Sequence, residues 1–306
     1  MPKVSIILPS YNHAIFLKDR LDSIINQIYS DWELIIIDDK STDSSLEILT
    51  DFVENNKERV KYFIINETNS GSGYKSWQKG IELSDSEYIW IAETDDYSDI
   101  YFLSEQIHVL EKNKECVLSF CSSNLVDEQN KIISSTEKRT KSLSVDHNEY
   151  KVFEGKAFLE KMPLETYINN GSSVVFRKPS VEIPAIIFSY RQSSDIFLWT
   201  FLLTNSSFAF INKKMNFFRR HENSTTTILS NSKAILGTYK EVIVYIAYFN
   251  YPEKSINIIN HYFNNYIWKN KREMFNFEVF RNDKKLKNLY LKKLLPLTLK
   301  KIFNGK

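Results

Sequence analysis

The chain has 306 residues, 42% of them hydrophobic, and 40 Lys plus Arg against 38 Asp plus Glu for a formal net charge of +2. This length and apolar content predict a folded protein with one large domain, or one and an appendage, and exclude a disordered or fibrous chain. No stretch of about 18 uncharged apolar residues occurs, so no transmembrane helix is predicted. The N-terminal MPKVSIILPSYN is too short an apolar run for a signal peptide, which predicts a cytosolic location.

The elements alternate from the start. Val4 to Leu8 is an apolar strand that stops at Pro9, and Phe16, Leu17, Leu21, Ile24, Ile25 and Ile28 follow at helical spacing. A second strand, Glu33 to Ile37, leads through Asp38 and Asp39 to a helix carrying Leu46, Ile48, Leu49, Phe52 and Val53. Val60 to Ile65 is the third strand, and a helix from Tyr74 to Leu83 follows it. Glu87 to Ile91 is the fourth. Strands apolar on both faces, alternating with helices, predict an α/β domain with a mainly parallel sheet flanked by helices. Cys116 and Cys121 lie in a further strand, where their spacing puts them on opposite faces and argues against a disulfide between them.

Ligands of such sheets bind outside the carboxyl ends of the strands. Pro9 to Asn12, Asp38 and Asp39, Asn66 to Asn69, and Glu93 to Asp96 all fall at those ends. This is the pattern of a cleft for a ring, a sugar and phosphates. Tyr11 offers a flat face for a base, and Asp38 or Asp39 can accept from a base N–H or a ribose hydroxyl. Ser41, Thr42 and Asp43 read better as the start of a helix.

The fourth strand ends in crowded acid: Glu93, Asp95, Asp96 and Asp99. Carboxylates this close repel one another. A divalent cation shared with substrate phosphates would resolve the repulsion; a solvated turn leading into the cap of the next helix would also account for it. The residues by themselves leave both readings open.

The segments VSIILPSYN, LIIIDDKSTDSS, NSGSGYKSWQKGI and YIWIAETDDY, in this order and at roughly this spacing, resemble the family 2 glycosyltransferases of the GT-A, Rossmann-like fold. The resemblance spans about residues 3 to 225. It implies an inverting transfer from a nucleotide-sugar donor, UDP by family frequency, with Mn2+ or Mg2+ as cofactor. It further implies a glycan or lipid-linked saccharide acceptor in the synthesis of a bacterial surface polysaccharide such as capsule or lipopolysaccharide. Pro9 and Tyr11 match the nucleotide-binding strand end, Asp38 and Asp39 the pair that binds base and ribose, and Asn69 and Gly71 the loop that closes over the nucleotide. Where the family's metal motif reads Asp-x-Asp-Asp, this chain has Glu93-Thr94-Asp95-Asp96. Asp95 and Asp96 are therefore assigned to the metal, Asp95 also to the donor, and Glu93 either to the ribose or to a contact behind the metal ligands. Lys75-Ser76-Trp77-Gln78 replaces the Ala-Arg-Asn of many relatives, which alters contacts to the base.

Asp195 in SYRQSSDIFLWTFLL opens an apolar helix, and the resemblance makes it the base that deprotonates the acceptor. Its other reading is a helix N-terminal acid favoured by the dipole. In FFRRHENST, His221 is assigned to the metal shell, and alternation lets only one of Arg219 and Arg220 face the cleft. Asn169 to Ser173 is expected on the acceptor side. His13, His108, His147 and His261 sit in no acidic cluster along the sequence and receive no role.

From Ile228 on, 15 Lys plus Arg stand against 5 Asp plus Glu, and 25 against 33 before it. The expected division is a catalytic domain over 1–227 and a helical, basic appendage over 228–306. The ending KKLKNLYLKKLLPLTLKKIF has the composition of a basic amphipathic surface helix, which fits either peripheral contact with the inner face of a membrane or an ordinary solvated face. Pro296 should break or restart it. Nucleic-acid binding is disfavoured by the acidity of the cleft domain. Two other classes fit less well. A nucleotidyltransferase would usually carry a Gly-rich phosphate loop after the first strand, where LPSYNHAIF has no glycine, and a silent binding module would not need Asp195 beside a metal motif.

Overall fold

The computed structural model describes residues 2–162, 165–222, 224, 241–242, 244–246, 248–249, 264, 291–292 and 295–303. The chain divides into two compact units, Met1–His221 and Glu222–Lys306. The boundary expected between residues 227 and 228 lies outside the described residues.

The first unit begins β1 (Val4–Ser10), α1 (Ala14–Ile25), β2 (Trp32–Asp38), α2 (Ser45–Asn55), β3 (Val60–Ile65), α3 (Gly73–Leu83) and β4 (Tyr88–Ile91). These strands are parallel in the order β3-β2-β1-β4. They form where both faces can be covered: Val4, Ile6, Leu8, Leu34, Ile36, Tyr88 and Trp90 join one buried cluster with Leu17, Leu21 and Ile24 of α1 and Leu49 of α2. On the other face α3 comes so close to β1 that a Cβ on Gly80 would lie 2.4 Å from Cγ2 of Ile7.

Beyond β4 the sheet becomes mixed. The chain continues as β5 (Tyr97–Ser98), α4 (Phe102–Lys112), β6 (Cys116–Val126), β7 (Ile132–Ser135), α5 (Glu137–Thr140), β8 (Tyr150–Glu154), α6 (Gly155–Leu159), β9 (Val174–Arg177), α7 (Ser194–Leu203) and β10 (Ser207–Arg219). β9 inserts antiparallel between β4 and β6, and β10 pairs parallel with β6. A register shift at Ser207/Phe208 breaks the alternation of β6. Cys116 and Cys121 consequently share one buried cluster, a correction to the expected opposite faces. Both are free thiols, and burial pushes each up to about 12.

The order of these strands positions the cleft. β2 and β3 lie to one side of β1 and β4 to the other, so the direction of strand addition reverses between β1 and β4, which opens a crevice at their carboxyl ends. Ile7 pairs with Ile91, so the acidic turn after β4 emerges beside Pro9 and Tyr11. Ser10 pairs with Asp38, bringing the β2 end level with it.

In the second unit a helix runs Leu295–Phe303. Pro296 sits in its first turn, where no intrahelical N–H is needed, so it restarts a helix. Most of the basic ending before it lies outside the described residues. No helix among the described residues is long and apolar enough to cross a membrane.

Candidate active site

The crevice is built from loops that hold one another. Asn12 takes a left-handed conformation at φ 53°, and its Oδ1 accepts from the Thr42 N–H at 2.7 Å. Ala14 N–H donates to Asp43 at 3.0 Å and His13 N–H to Ser45 Oγ at 3.1 Å. The start of α1 is thus tied to the start of α2, the local role expected for Ser41 to Asp43. Tyr11 stands 44% exposed at the mouth.

Asp38 and Asp39 are buried, and their carboxylates are satisfied from within, as buried charge requires. Asp38 accepts from Ser41 N–H at 2.9 Å and Ser41 Oγ at 2.6 Å. Asp39 accepts from Asn66 Nδ2 at 2.7 Å, Ser70 N–H at 3.0 Å and Ser70 Oγ at 2.8 Å. Asn69 donates to the Asp39 carbonyl at 3.0 Å and accepts from Gly71 N–H at 2.8 Å. Gly71 at φ +78° has open space around it, so the turn needs its backbone freedom and no packing constrains it. These four residues therefore meet at the ends of β2 and β3.

At the end of β4 the acidic turn is held from beneath. Asp96, fully buried, accepts from Asn170 Nδ2 at 2.8 Å and from Arg219 N–H at 3.0 Å. Asn170 accepts in turn from Asn216 Nδ2 at 3.1 Å. Ser172 Oγ accepts from Glu93 N–H at 3.1 Å and from the Arg20 guanidinium at 3.2 Å, while Arg20 Nε donates to the Glu93 carbonyl at 2.7 Å. Asn170, Ser172 and Ser173, expected on the acceptor side, are buried supports of this turn: a carboxylate cluster emerging from a strand end needs donors packed under it. Asp99, the remaining acid, accepts from Tyr101 N–H at 2.9 Å and serves the start of α4.

The electrostatics follow from this crowding. Burial first, then the charges of Asp95, Asp96 and Asp195, hold the Glu93 carboxyl well above the usual carboxylate range. Burial and Asp95 push Asp96 up to about 6 against the pull of Arg20. Burial would raise Asp95 as well, but the hydrogen bond from His221 and the charges of His13 and His221 bring it below its ordinary value. The buried Arg20 is lowered to about 10 by desolvation, and its Nη1 has no partner among the described residues. Asp195, in the first turn of α7, is among the charges that act on Glu93.

His221 Nε2 lies 3.2 Å from Asp95 Oδ2, and its ring is 5.7 Å from that of His13. One ligand atom each from His13, Asp95 and His221 falls within 4.8 Å of the others; Glu93, Asp95 and Asp96 form a second such group. Burial lowers the His13 pKa, which favours the neutral imidazole that binds metals. Two imidazoles and a carboxylate suit a first-row transition ion, and the carboxylate trio suits Mg2+ or Mn2+. The residues present fit a divalent cation.

Sequence reasoning missed His13 and Arg20, and expected Asn170 on the acceptor side rather than beneath Asp96. His13 is 81 residues from Thr94, and His221 is 126 from Asp95, so no spacing rule joins them. For the arginine pair, alternation held: Arg219 turns inward, donating to the Asp95 carbonyl at 2.8 Å and to Asp19 at 2.8 Å, with its guanidinium 4.6 Å from the Phe16 ring.

Comparison with known proteins supplies the frame. The sequence model of the family described as Glycosyl transferase family 2 matches residues 5–181. A Haemophilus influenzae (strain Rd) protein named as an uncharacterized glycosyltransferase is 26% identical over 255 residues, covering 81% of this chain and 95% of its own length. A Bacillus subtilis (strain 168) protein, TuaG, named for teichuronic acid biosynthesis, is 30% identical over 145 residues, covering 47% of this chain and 56% of its own. Among solved structures, residues 1–349 of S. aureus TarS in complex with UDP-GlcNAc superpose with a TM-score of 0.57 at 17% identity, over 80% of this chain and 66% of that one. The crevice between β1 and β4 is accordingly the cleft of a GT-A fold, and the chain belongs to glycosyl transferase family 2.

Proposed function

We propose that this protein transfers a sugar, with inversion, from a nucleotide-sugar donor, UDP-linked, to a hydroxyl of a saccharide acceptor in bacterial surface polysaccharide synthesis. The observation that carries the reading is the meeting of the acidic turn with two histidines at the strand ends, with the charge of Asp195 acting on Glu93. The names of TuaG and of TarS with UDP-GlcNAc support the surface polymer and the donor.

Tyr11 at the mouth offers its ring to the base, with Pro9 beside it and Asp38 and Asp39 shaping the floor for base and ribose. Asn69 and Gly71 form the edge of the nucleotide site. Asp95, His221 and His13, with Asp96 behind them, would hold a divalent cation, and Glu93 would reach the ribose side. When bound, the cation neutralises the diphosphate and improves it as a leaving group. The catalytic residue is Asp195: as the acceptor oxygen bonds to C1, the C1–O bond to the diphosphate breaks, the proton passes to the Asp195 carboxylate, and the nucleoside diphosphate departs. A single displacement from the opposite face inverts the centre. Exposed Leu299, Ile302 and Phe303 beside Lys300 and Lys301 support peripheral contact with the inner face of the membrane, where a lipid-linked acceptor would lie.

Calorimetric titration of the purified chain with UDP, GDP and dTDP, each with and without Mn2+, tests the reading. Manganese-dependent binding of UDP is expected. Binding of none of the three by a folded sample would reject sugar transfer in favour of a silent module.

A further inference from the structure

Asp39 is 4% exposed, and three hydrogens are directed at its carboxylate. One comes from Asn66 Nδ2, one from the Ser70 N–H, which lies 3.0 Å from both oxygens, and one from Ser70 Oγ at 2.8 Å. The Ser70 hydroxyl is closer to Asp39 than to the Ser72 carbonyl, which is 3.1 Å away. A carboxylate offers about four acceptor sites. One is therefore left, on a group that can only accept.

The support for Asp39 comes from α3. Asn66, just past β3, accepts at Oδ1 from Lys79 Nζ at 2.9 Å and donates from Nδ2 to Asp39 at 2.7 Å. An ammonium only donates and a carboxylate only accepts, so the two ends demand the same orientation of the amide between them. A cation at one end and an anion at the other polarise that amide and strengthen both bonds. Lys79 is in no ion pair among the described residues, so its charge acts on Asp39 through Asn66. One turn earlier on the same helix, Lys75 Nζ donates to the Ser70 carbonyl at 3.0 Å. The Asn66 N–H bonds the Asp38 carbonyl at 2.8 Å, which pins the clamp to the end of β2.

We propose that Asn66 and Lys79 are positioning residues for Asp39 and that the clamp they form sets the base preference of the donor site; this deepens the sugar-transfer reading above and rests on it. A carboxylate held still with one acceptor site free takes up one N–H. Uracil presents an N–H at its ring atom N3, whereas cytosine presents a lone pair at the same atom, which a carboxylate repels. A site built around one hydrogen bond rejects the analogue that cannot make it. Released from Asn66, the carboxylate gains a second free site and can turn to the amino group of cytosine, so the preference shrinks.

The test measures the affinity of the full chain for UDP and for CDP, each with Mn2+, by calorimetry. The wild type is expected to favour UDP roughly 10- to 100-fold, the range of one charged hydrogen bond. Asn66→Ala should cut that ratio by about tenfold, and Lys79→Met, acting at one remove, by about threefold. Lys79→Arg, still a donor, should keep the ratio near wild type. Because Lys79 works through Asn66, the double variant Asn66→Ala with Lys79→Met should lose no more than Asn66→Ala alone. A merely structural role would weaken UDP and CDP alike. An unchanged ratio in the single variants, additive losses in the double variant, or equal binding of UDP and CDP by the wild type overturns the assignment while leaving sugar transfer standing. A folded wild type that binds neither nucleotide rejects the sugar-transfer reading itself, and the clamp with it.

Discussion

His13 Nδ1 lies 2.6 Å from the hydroxyl of Thr94, and that hydroxyl is 3.3 Å from the Pro9 carbonyl. The carbonyl can only accept; with the hydroxyl hydrogen directed to it, the ring donates from Nδ1. Its Nε2 keeps a lone pair, the arrangement by which neighbours orient a metal-binding histidine. His13→Asn should therefore weaken Mn2+ binding roughly 10- to 100-fold, read by the paramagnetic resonance signal of free Mn2+. Mg2+, which prefers oxygen, should lose much less. Equal losses for both ions, or none, would put His13 out of the metal's reach.

Asp195 stands in the first turn of α7, and its charge reaches Glu93. Asp195→Asn keeps the shape and removes the base. Transfer should fall by about 10²- to 10⁴-fold, while calorimetric affinity for UDP with Mn2+ stays within a factor of about two of wild type, since base loss alone does not touch ground-state binding. Normal turnover in this variant would sink the assignment.

Glu93 gives a pH dependence of definite sign. Its folded-state pKa is raised, by burial and by Asp95, Asp96 and Asp195, so the native state holds this proton more tightly than the unfolded chain does. The stability it contributes is complete below the unfolded value of about 4.3 and is lost as pH rises through the folded value. In the metal-free protein, Glu93→Gln removes that loss. Urea unfolding at stepped pH should show the variant gaining on wild type as pH climbs from about 4 toward 8. Asp96 has the same sign and Asp95 the opposite, but both remain in each protein. A gap that narrowed with rising pH would contradict the raised pKa.

Gly171 lies between Asn170 and Ser172, the two supports of the acidic turn. A Cβ there would sit 2.5 Å from Cη2 of Trp77, a side chain 1% exposed and unable to withdraw. Gly171→Ala should cost about 1–3 kcal/mol through overpacking and weaken metal binding with it, as Asn170 shifts off Asp96. Gly73, at the start of α3, has nothing within 4 Å of its Cβ position. Gly73→Ala should leave stability unchanged or raise it by up to about 1 kcal/mol. Thermal unfolding of the two variants separates the cases.

Much of the fold could be read in advance. The apolar runs of β1 to β4, the helical spacings between them and the polar residues that stop each strand are short-range patterns, and they placed Tyr11, Asp38, Asp39, Glu93, Asp95 and Asp96 at strand ends. The later strands were less legible. Cys116 and Cys121 follow a simple alternation until the irregular pairing of β6 with β10 breaks it, and that irregularity depends on a partner 91 positions away at Ser207. Asn170 supports Asp96 from 74 positions away, a meeting no local spacing predicts.

The sequence by itself determined the alternating α/β character, the acidic turn and the residues able to do proton and metal chemistry, since each depends on neighbours within a few positions. Only the tertiary structure decided that His13 and His221 flank Asp95 and that Arg20 and Asn170 lie under Asp96. Those meetings follow from the reversal of strand order between β1 and β4 and from the antiparallel entry of β9. Strand order is set by which faces can be buried together across the whole sheet, and no local spacing encodes it.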